Sequence, residues 1–260
     1  MTSNLIPFNV KTSTINESIL IHVIDIPNID VNLKQLLDKH IVHITQGQND
    51  ATNLSTAKKE LQQFFSTKNE NIEKIGPIAE FFIHLYLNEV GFEQQCLFLN
   101  LEERSVKKGF DGYYTFNNVT WIMESKSGLS STKNISHKVK IKEAYSSLRN
   151  TLSGDVSNNP WRNAYNHAHR VNATSDILST LKQFSDSFIN GNKTHDIKDF
   201  NIIPCSTIFY LDNWSPQDKE EIITAVKETL TSLSCKSIHI ICLNKATVNA
   251  FMDYLSEGID

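Results

Sequence analysis

Residues 107–128 read KKGFDGYYTFNNVTWIMESKSG. Phe110 to Phe116 is rich in aromatics, and Val119 to Ser125 mixes β-branched with large apolar residues. Asn117-Asn118 stands between them, and asparagine tolerates the positive φ that a two-residue turn requires. The pattern predicts a β-hairpin. With these two residues as the loop, Phe116 faces Val119, and each further pair steps outward by one residue on both strands. Asp111 then falls opposite Glu124, with Cβ atoms about 5 Å apart on one face. Like charges so placed destabilise a hairpin unless something neutralises them. A hard divalent cation does so, because carboxylate oxygens are its natural ligands. Lys126 lies two residues past Glu124 and points to the same face. Two carboxylates and a lysine around a cation suit hydrolysis of a phosphodiester. The cation stabilises charge and activates water, and the lysine holds the water or the developing charge. On a solvated edge hairpin the same residues would do no chemistry. Here they follow the apolar run Trp121-Ile122-Met123 and precede Gly128, at the end of an apolar strand where a site on a sheet would open.

Asp111, a turn and then Glu124-Ser125-Lys126 resemble the PD-(D/E)xK nuclease signature. Upstream, Glu80 in GPIAEFFIHLYLNEVGF is similar to the glutamate that many of these enzymes carry on the preceding helix. The resemblance implies that Asp111 and Glu124 bind Mg²⁺ (or Mn²⁺) and that the main-chain carbonyl of Ser125 is a further ligand. It implies that Lys126 positions the water, and that Glu80 completes the metal shell directly or through water. Phe110 stands where the motif's name has proline. The likeness covers residues 74–128 well and the rest loosely. The layout of helix, Gly-Phe-Asp-Gly and Glu-x-Lys also resembles the nuclease subunits of anti-phage defence systems that work beside a helicase, such as HamA of Hachiman or AbpA. It implies a restriction-endonuclease-like fold, a deoxyribonuclease activity, and a helicase or ATPase as partner protein.

At 260 residues the chain is long enough for one large domain or two small ones, and 40% hydrophobic with 21% charged residues suits a soluble globular protein. The net charge of −4 gives no global basic signature for nucleic acid, so DNA would have to be held by a local patch. Cys96, Cys205, Cys235 and Cys242 form no CxxC pair, which leaves them as reduced thiols of a cytoplasmic protein rather than zinc ligands. The start MTSNLIPFNV has neither a basic n-region nor a long apolar h-region, and no apolar run reaches the ~20 residues of a membrane helix.

Along the chain, residues 1–16 are irregular or an edge segment. Ser18 to Ile26, dense in β-branched residues and stopped by Pro27, predicts a strand. Leu33, Leu36, Leu37, Ile41 and Ile44 recur at helical spacing within a helix from Val31 to Ile44, and a second helix runs from Thr56 to Ser66. The polar stretch 67–73 divides an N-terminal helix-and-strand subdomain, 1–70, from a nuclease-like domain, 71–260. Pro77 suits the first turn of a helix capped by Gly76 and ended by Gly91, with Glu80 and His84 at i, i+4 on its polar side. Gln95 to Asn100 predicts a strand. In the charged loop after it, Arg104, Lys107 and Lys108 would steer phosphates, unless they are only solvated.

A helix from Ile135 to Leu152 follows Gly128. With Lys133, Lys138, Lys140, Lys142 and Arg149 it is the most basic part of the chain, placed to hold a DNA backbone or else to face water. Another helix spans Ser175 to Ile189. Phe200 to Leu211, a helix from Pro216 to Leu233, Ser237 to Leu243 and a helix from Ala246 to Ser256 give a strand–helix–strand–helix order. That order argues for parallel strands in a covered sheet. The expected fold class is therefore α/β (α+β), a mixed central sheet with the catalytic hairpin, flanked by helices. There is no GxxxxGK[ST], so any motor that unwinds DNA must be another protein. A reading from a different class is a catalytically silent nuclease-like fold that binds DNA or a partner protein and regulates it. A third is a nuclease acting on RNA.

Overall fold

The computed structural model describes residues 7–48, 50–68, 70–99 and 109–258, except the side chain of Asp212. Among them the chain runs β1 (Asn9–Asn16), β2 (Ile19–Ile26), α1 (Val31–Gln46), α2 (Leu54–Ser66), α3 (Asn71–Glu89) and a short β3 (Glu93–Gln94). It continues with β4 (Gly112–Phe116), β5 (Val119–Leu129), α4 (His137–Leu152), α5 (Pro160–Arg170) and α6 (Ser175–Ile189). It closes with β6 (Asn201–Phe209), α7 (Lys219–Lys227), β7 (Ser237–Lys245) and α8 (Asn249–Ser256). The strands form one sheet in the order β1-β2-β7-β6-β5-β4-β3, so the fold is a mixed α/β fold. The four central strands β2, β7, β6 and β5 are parallel, and β1, β4 and β3 pair antiparallel at the two sides. Parallel neighbours need a long crossover, which the helices between β6, β7 and their neighbours supply.

Both faces are covered. Ile24, Trp121, Met123, Ile203 and Ile241 point to one side and pack with α1, α2, α3 and α8. Ile21, Val23, Ile122, Ile202 and Ile240 point to the other and pack with α4, α5, α6 and α7. A strand buried on both faces has no reason to alternate apolar with polar residues, and β6 (NIIPCSTIF) is buried throughout. Pro204 sits inside this central strand, where its missing N–H would break a ladder. The β6–β7 pairing skips Ile203 and Pro204 and resumes at Cys205, so the break falls where the proline has no proton to give. Strands from either side of residue 70 lie in the one sheet.

Several boundaries differ from those expected. Of the two alternatives for the first residues, the edge segment holds: Asn9–Asn16 form the edge strand β1, aligned on the isoleucine-rich β2. The helix expected to begin at Pro77 begins at Asn71, and Pro77 lies inside it. Residues 95–99 are not a strand. Their backbone is tied elsewhere: Phe98 N donates to Ile44 O (2.9 Å), and Leu97 N donates to His167 Nδ1 (3.1 Å). Pairing with β4 is confined to Glu93 and Gln94. The helix expected over Pro216 to Leu233 is shorter, covering Lys219–Lys227 with a 3₁₀ turn after it. Cys205, Cys235 and Cys242 are free thiols. Among the described residues no helix is long and apolar enough to cross a membrane.

Candidate active site

Asn117 and Asn118 adopt φ of 51° and 60°, the left-handed pair of a two-residue hairpin turn. The register follows from that turn: Phe116 pairs with Val119 and Gly112 with Met123. The β4 ladder stops at Gly112, whereas β5 runs on beside β6 to Leu129. From Glu124 onward, then, β5 has lost its partner on the β4 side. Gly112 is needed at the last rung, because a Cβ there would stand 2.6 Å from the Tyr114 ring and 2.9 Å from the Met123 terminal methyl.

Asp111 occupies the point where the strands part. Its Oδ2 accepts the backbone N–H of Ser125 at 2.7 Å. In an antiparallel pair, alternate residues direct both N–H and C=O at the partner strand. Ser125 is such a residue, so its N–H and its carbonyl both face the gap that β4 vacates. The Asp111 carboxylate thus takes the place of the missing strand at the Ser125 N–H. Glu124 points to the α4 face, where it is buried at 6% exposure. Its Oε1 accepts from Lys126 Nζ at 2.7 Å and from Ser147 Oγ of α4 at 2.8 Å. Burial pulls the Lys126 amine down, but the neighbouring charges of Glu124, Asp111 and Glu143 outweigh it. The pKa ends above the ordinary lysine value, and the group is a cation.

Glu80 approaches from the other face on α3. His84 one turn later is fully buried, with Nε2 3.4 Å from Glu80 Oε1 and Nδ1 in hydrogen-bond contact with Tyr114 Oη. Burial drives the Tyr114 hydroxyl well above its ordinary pKa, and the Glu80 and Asp111 carboxylates push the same way. Tyr114 therefore remains a protonated donor. The hairpin, α3 and α4 converge on one strand edge that carries two carboxylates, a backbone carbonyl and an ammonium.

These are hard oxygen donors, of the kind Mg²⁺ and Mn²⁺ take. Among the described residues no three His, Cys, Asp or Glu side chains gather as a ready-made ion cluster. The Asp111 and Glu124 carboxylates, with the Ser125 backbone between them, are of a chemistry that suits such an ion.

A protein-family model described as HamA matches residues 6–259. The chain belongs to the HamA family. No curated protein and no solved structure matches it. Family membership implies anti-phage defence.

The other expected contacts of this HamA-family chain are scattered. Lys138 is paired with Glu228 (2.6 Å) and Lys140 with Glu143 (2.7 Å), so both ammoniums already face the protein's own acids. Lys133 is exposed ahead of α4. Arg104, Lys107 and Lys108 lie outside the described residues. The sequence reading missed Ser147 and the role of Tyr114. Ser147 stands four residues past Glu143 and seven past Lys140 on α4, but its partner Glu124 lies 23 residues away, so helical spacing alone does not reveal the contact. Tyr114 had no sequence signal beyond its place in an aromatic strand.

Proposed function

We propose that this HamA-family chain is a metal-dependent nuclease of the PD-(D/E)xK kind. It hydrolyses DNA phosphodiester bonds in the cytoplasm as the effector of a defence system that works with a helicase. One observation carries the reading: β5 continues past the end of β4, and Asp111, Glu124, Ser125 and Lys126 meet at the edge so exposed. A mixed sheet with this hairpin between flanking helices is also what a restriction-endonuclease-like fold requires.

Asp111, Glu124 and the Ser125 carbonyl hold Mg²⁺ or Mn²⁺, with Glu80 completing the shell. The bound ion supplies charge stabilisation at the phosphoryl group and water of lowered pKa. Lys126 is the only one of the four named side chains that carries positive charge. From Glu124 its ammonium reaches toward the edge, where it orients the attacking water or meets charge developing on the phosphate. The chain has no P-loop, so unwinding falls to the partner.

The test is cleavage of supercoiled plasmid by the purified chain, alone and with its helicase partner, in Mg²⁺ or EDTA. Glu124→Ala and Lys126→Ala each abolish cutting and keep the wild-type circular dichroism spectrum. Wild-type cutting by either folded variant would sink the assignment. The second reading, a silent nuclease-like fold that binds DNA or a partner, draws on the Lys126–Glu124 ion pair, which sets a cation of the protein's own against the carboxylate. Metal binding with no cleavage of DNA or RNA, even beside the partner, favours that reading.

A further inference from the structure

Among the described residues, Ser147 is the donor to Glu124 that comes from outside the hairpin. It lies on α4, and its hydroxyl reaches Glu124 Oε1 at 2.8 Å, on the same oxygen that Lys126 holds at 2.7 Å. The two donors differ in what they can do during a reaction. Lys126 is a flexible side chain on the strand, one-third exposed, and the proposed function asks its ammonium to serve water or substrate. Ser147 is carried by a helix that packs against β5 and β6 and whose Ala144 and Leu148 are fully buried. A carboxylate as buried as Glu124 needs a donor whenever Lys126 turns away, since an unpaired buried charge is costly.

We propose that Ser147 is a positioning residue that holds Glu124 Oε1, so that the carboxylate keeps its aim at the cation while Lys126 is engaged elsewhere. The proposal rests on the nuclease reading. It makes α4 part of the support for the metal site rather than only a packing helix. Hydrogen-bond partners of metal ligands fix the ligand's orientation, and removing one typically costs about 10- to 100-fold in metal affinity.

The experiment is a Mn²⁺ titration of the full chain, with free Mn²⁺ read by electron paramagnetic resonance, for wild type, Ser147→Ala, Ser147→Thr and Glu124→Ala. Ser147→Ala is expected to bind Mn²⁺ about 10- to 100-fold more weakly, while Ser147→Thr, which keeps the hydroxyl, restores affinity to near wild type. In plasmid cleavage the alanine variant needs more Mg²⁺ for half-maximal rate, and its rate at saturating Mg²⁺ stays near wild type. A packing defect would instead lower thermal stability without this split and without rescue by threonine. Wild-type Mn²⁺ affinity in a folded Ser147→Ala, beside loss of binding in Glu124→Ala, overturns the role of Ser147 and leaves the nuclease reading standing. If wild type itself binds no Mn²⁺ and Glu124→Ala changes nothing, the nuclease reading fails and this proposal with it.

Discussion

His84 stands between the Tyr114 hydroxyl and the Glu80 carboxylate. His84 Nε2 looks at that carboxylate, so Nε2 carries the ring proton and Nδ1 accepts from the Tyr114 hydroxyl. Tyr114 belongs to β4, three residues from Asp111, so one buried ring couples α3 to the hairpin. In Tyr114→Phe the buried Nδ1 acceptor loses its donor, a change that costs about 1–3 kcal/mol. Urea unfolding at neutral pH is expected to show that loss, and unchanged stability would contradict the tautomer. At this scale the site was half legible. The hairpin register, which is local, brings Asp111 near Glu124 and Lys126, but Asp111 lies past the last rung and turns to the Ser125 N–H instead of pairing with Glu124 as expected. Ser147 and Tyr114 matter through partners 23 and 30 residues away, which no short motif encodes.

At the scale of elements, the hairpin was readable because its turn needs two positive φ angles and two consecutive asparagines tolerate them. The start of α3 was not, because Gly76-Pro77 carries the local signature of a helix beginning. The helix nonetheless begins at Asn71 and carries Pro77 inside it, and of the residues 71–75 only Ile75 is buried in the core. Likewise 95–99 looks like a strand by composition, but its amides are taken by Ile44 and His167.

α4 is anchored in another way. His137, its first residue, bridges Ser206 Oγ of β6 (2.8 Å) and Asn244 Oδ1 of β7 (2.9 Å). Asn244 Nδ2 donates to Asp25 Oδ1 (2.9 Å), so Oδ1 of Asn244 is the acceptor and His137 Nε2 bears the proton. The ring is neutral: burial lowers its pKa to about 4, against a partial rise from Asn244 and Asp25. An unfolded histidine titrates near 6.5, so between pH 6.5 and 4 the unfolded chain binds the proton and the folded chain does not. The stability is present above that window and falls as the pH drops through it, by roughly 3 kcal/mol in all. Burial of His22 and His239 acts in the same direction. Unfolding measured at pH 7 and pH 5 should show a smaller loss for His137→Gln than for wild type, and equal losses would contradict the neutral bridge.

For the whole molecule, the alternation of strands and helices after residue 200 was enough to foresee parallel strands in a covered sheet. What it could not foresee was their order, because β2 enters beside β7 from the opposite end of the chain. That order decides where the candidate site lies: β5 is paired with β6 on one side from Trp121 to Leu129, and with β4 on the other only as far as Met123. The HamA family match runs over residues 6–259, so the strands and helices before residue 70 are as much part of the family as the hairpin is. The central claim is that the edge left by β4 is a divalent-cation site, and calorimetric titration of Mn²⁺ into the full chain and into Asp111→Ala tests it most directly. The account predicts binding by the wild type that is lost in the variant, with both chains giving the same circular dichroism spectrum. Equal binding by the two, or none by the wild type, would contradict it.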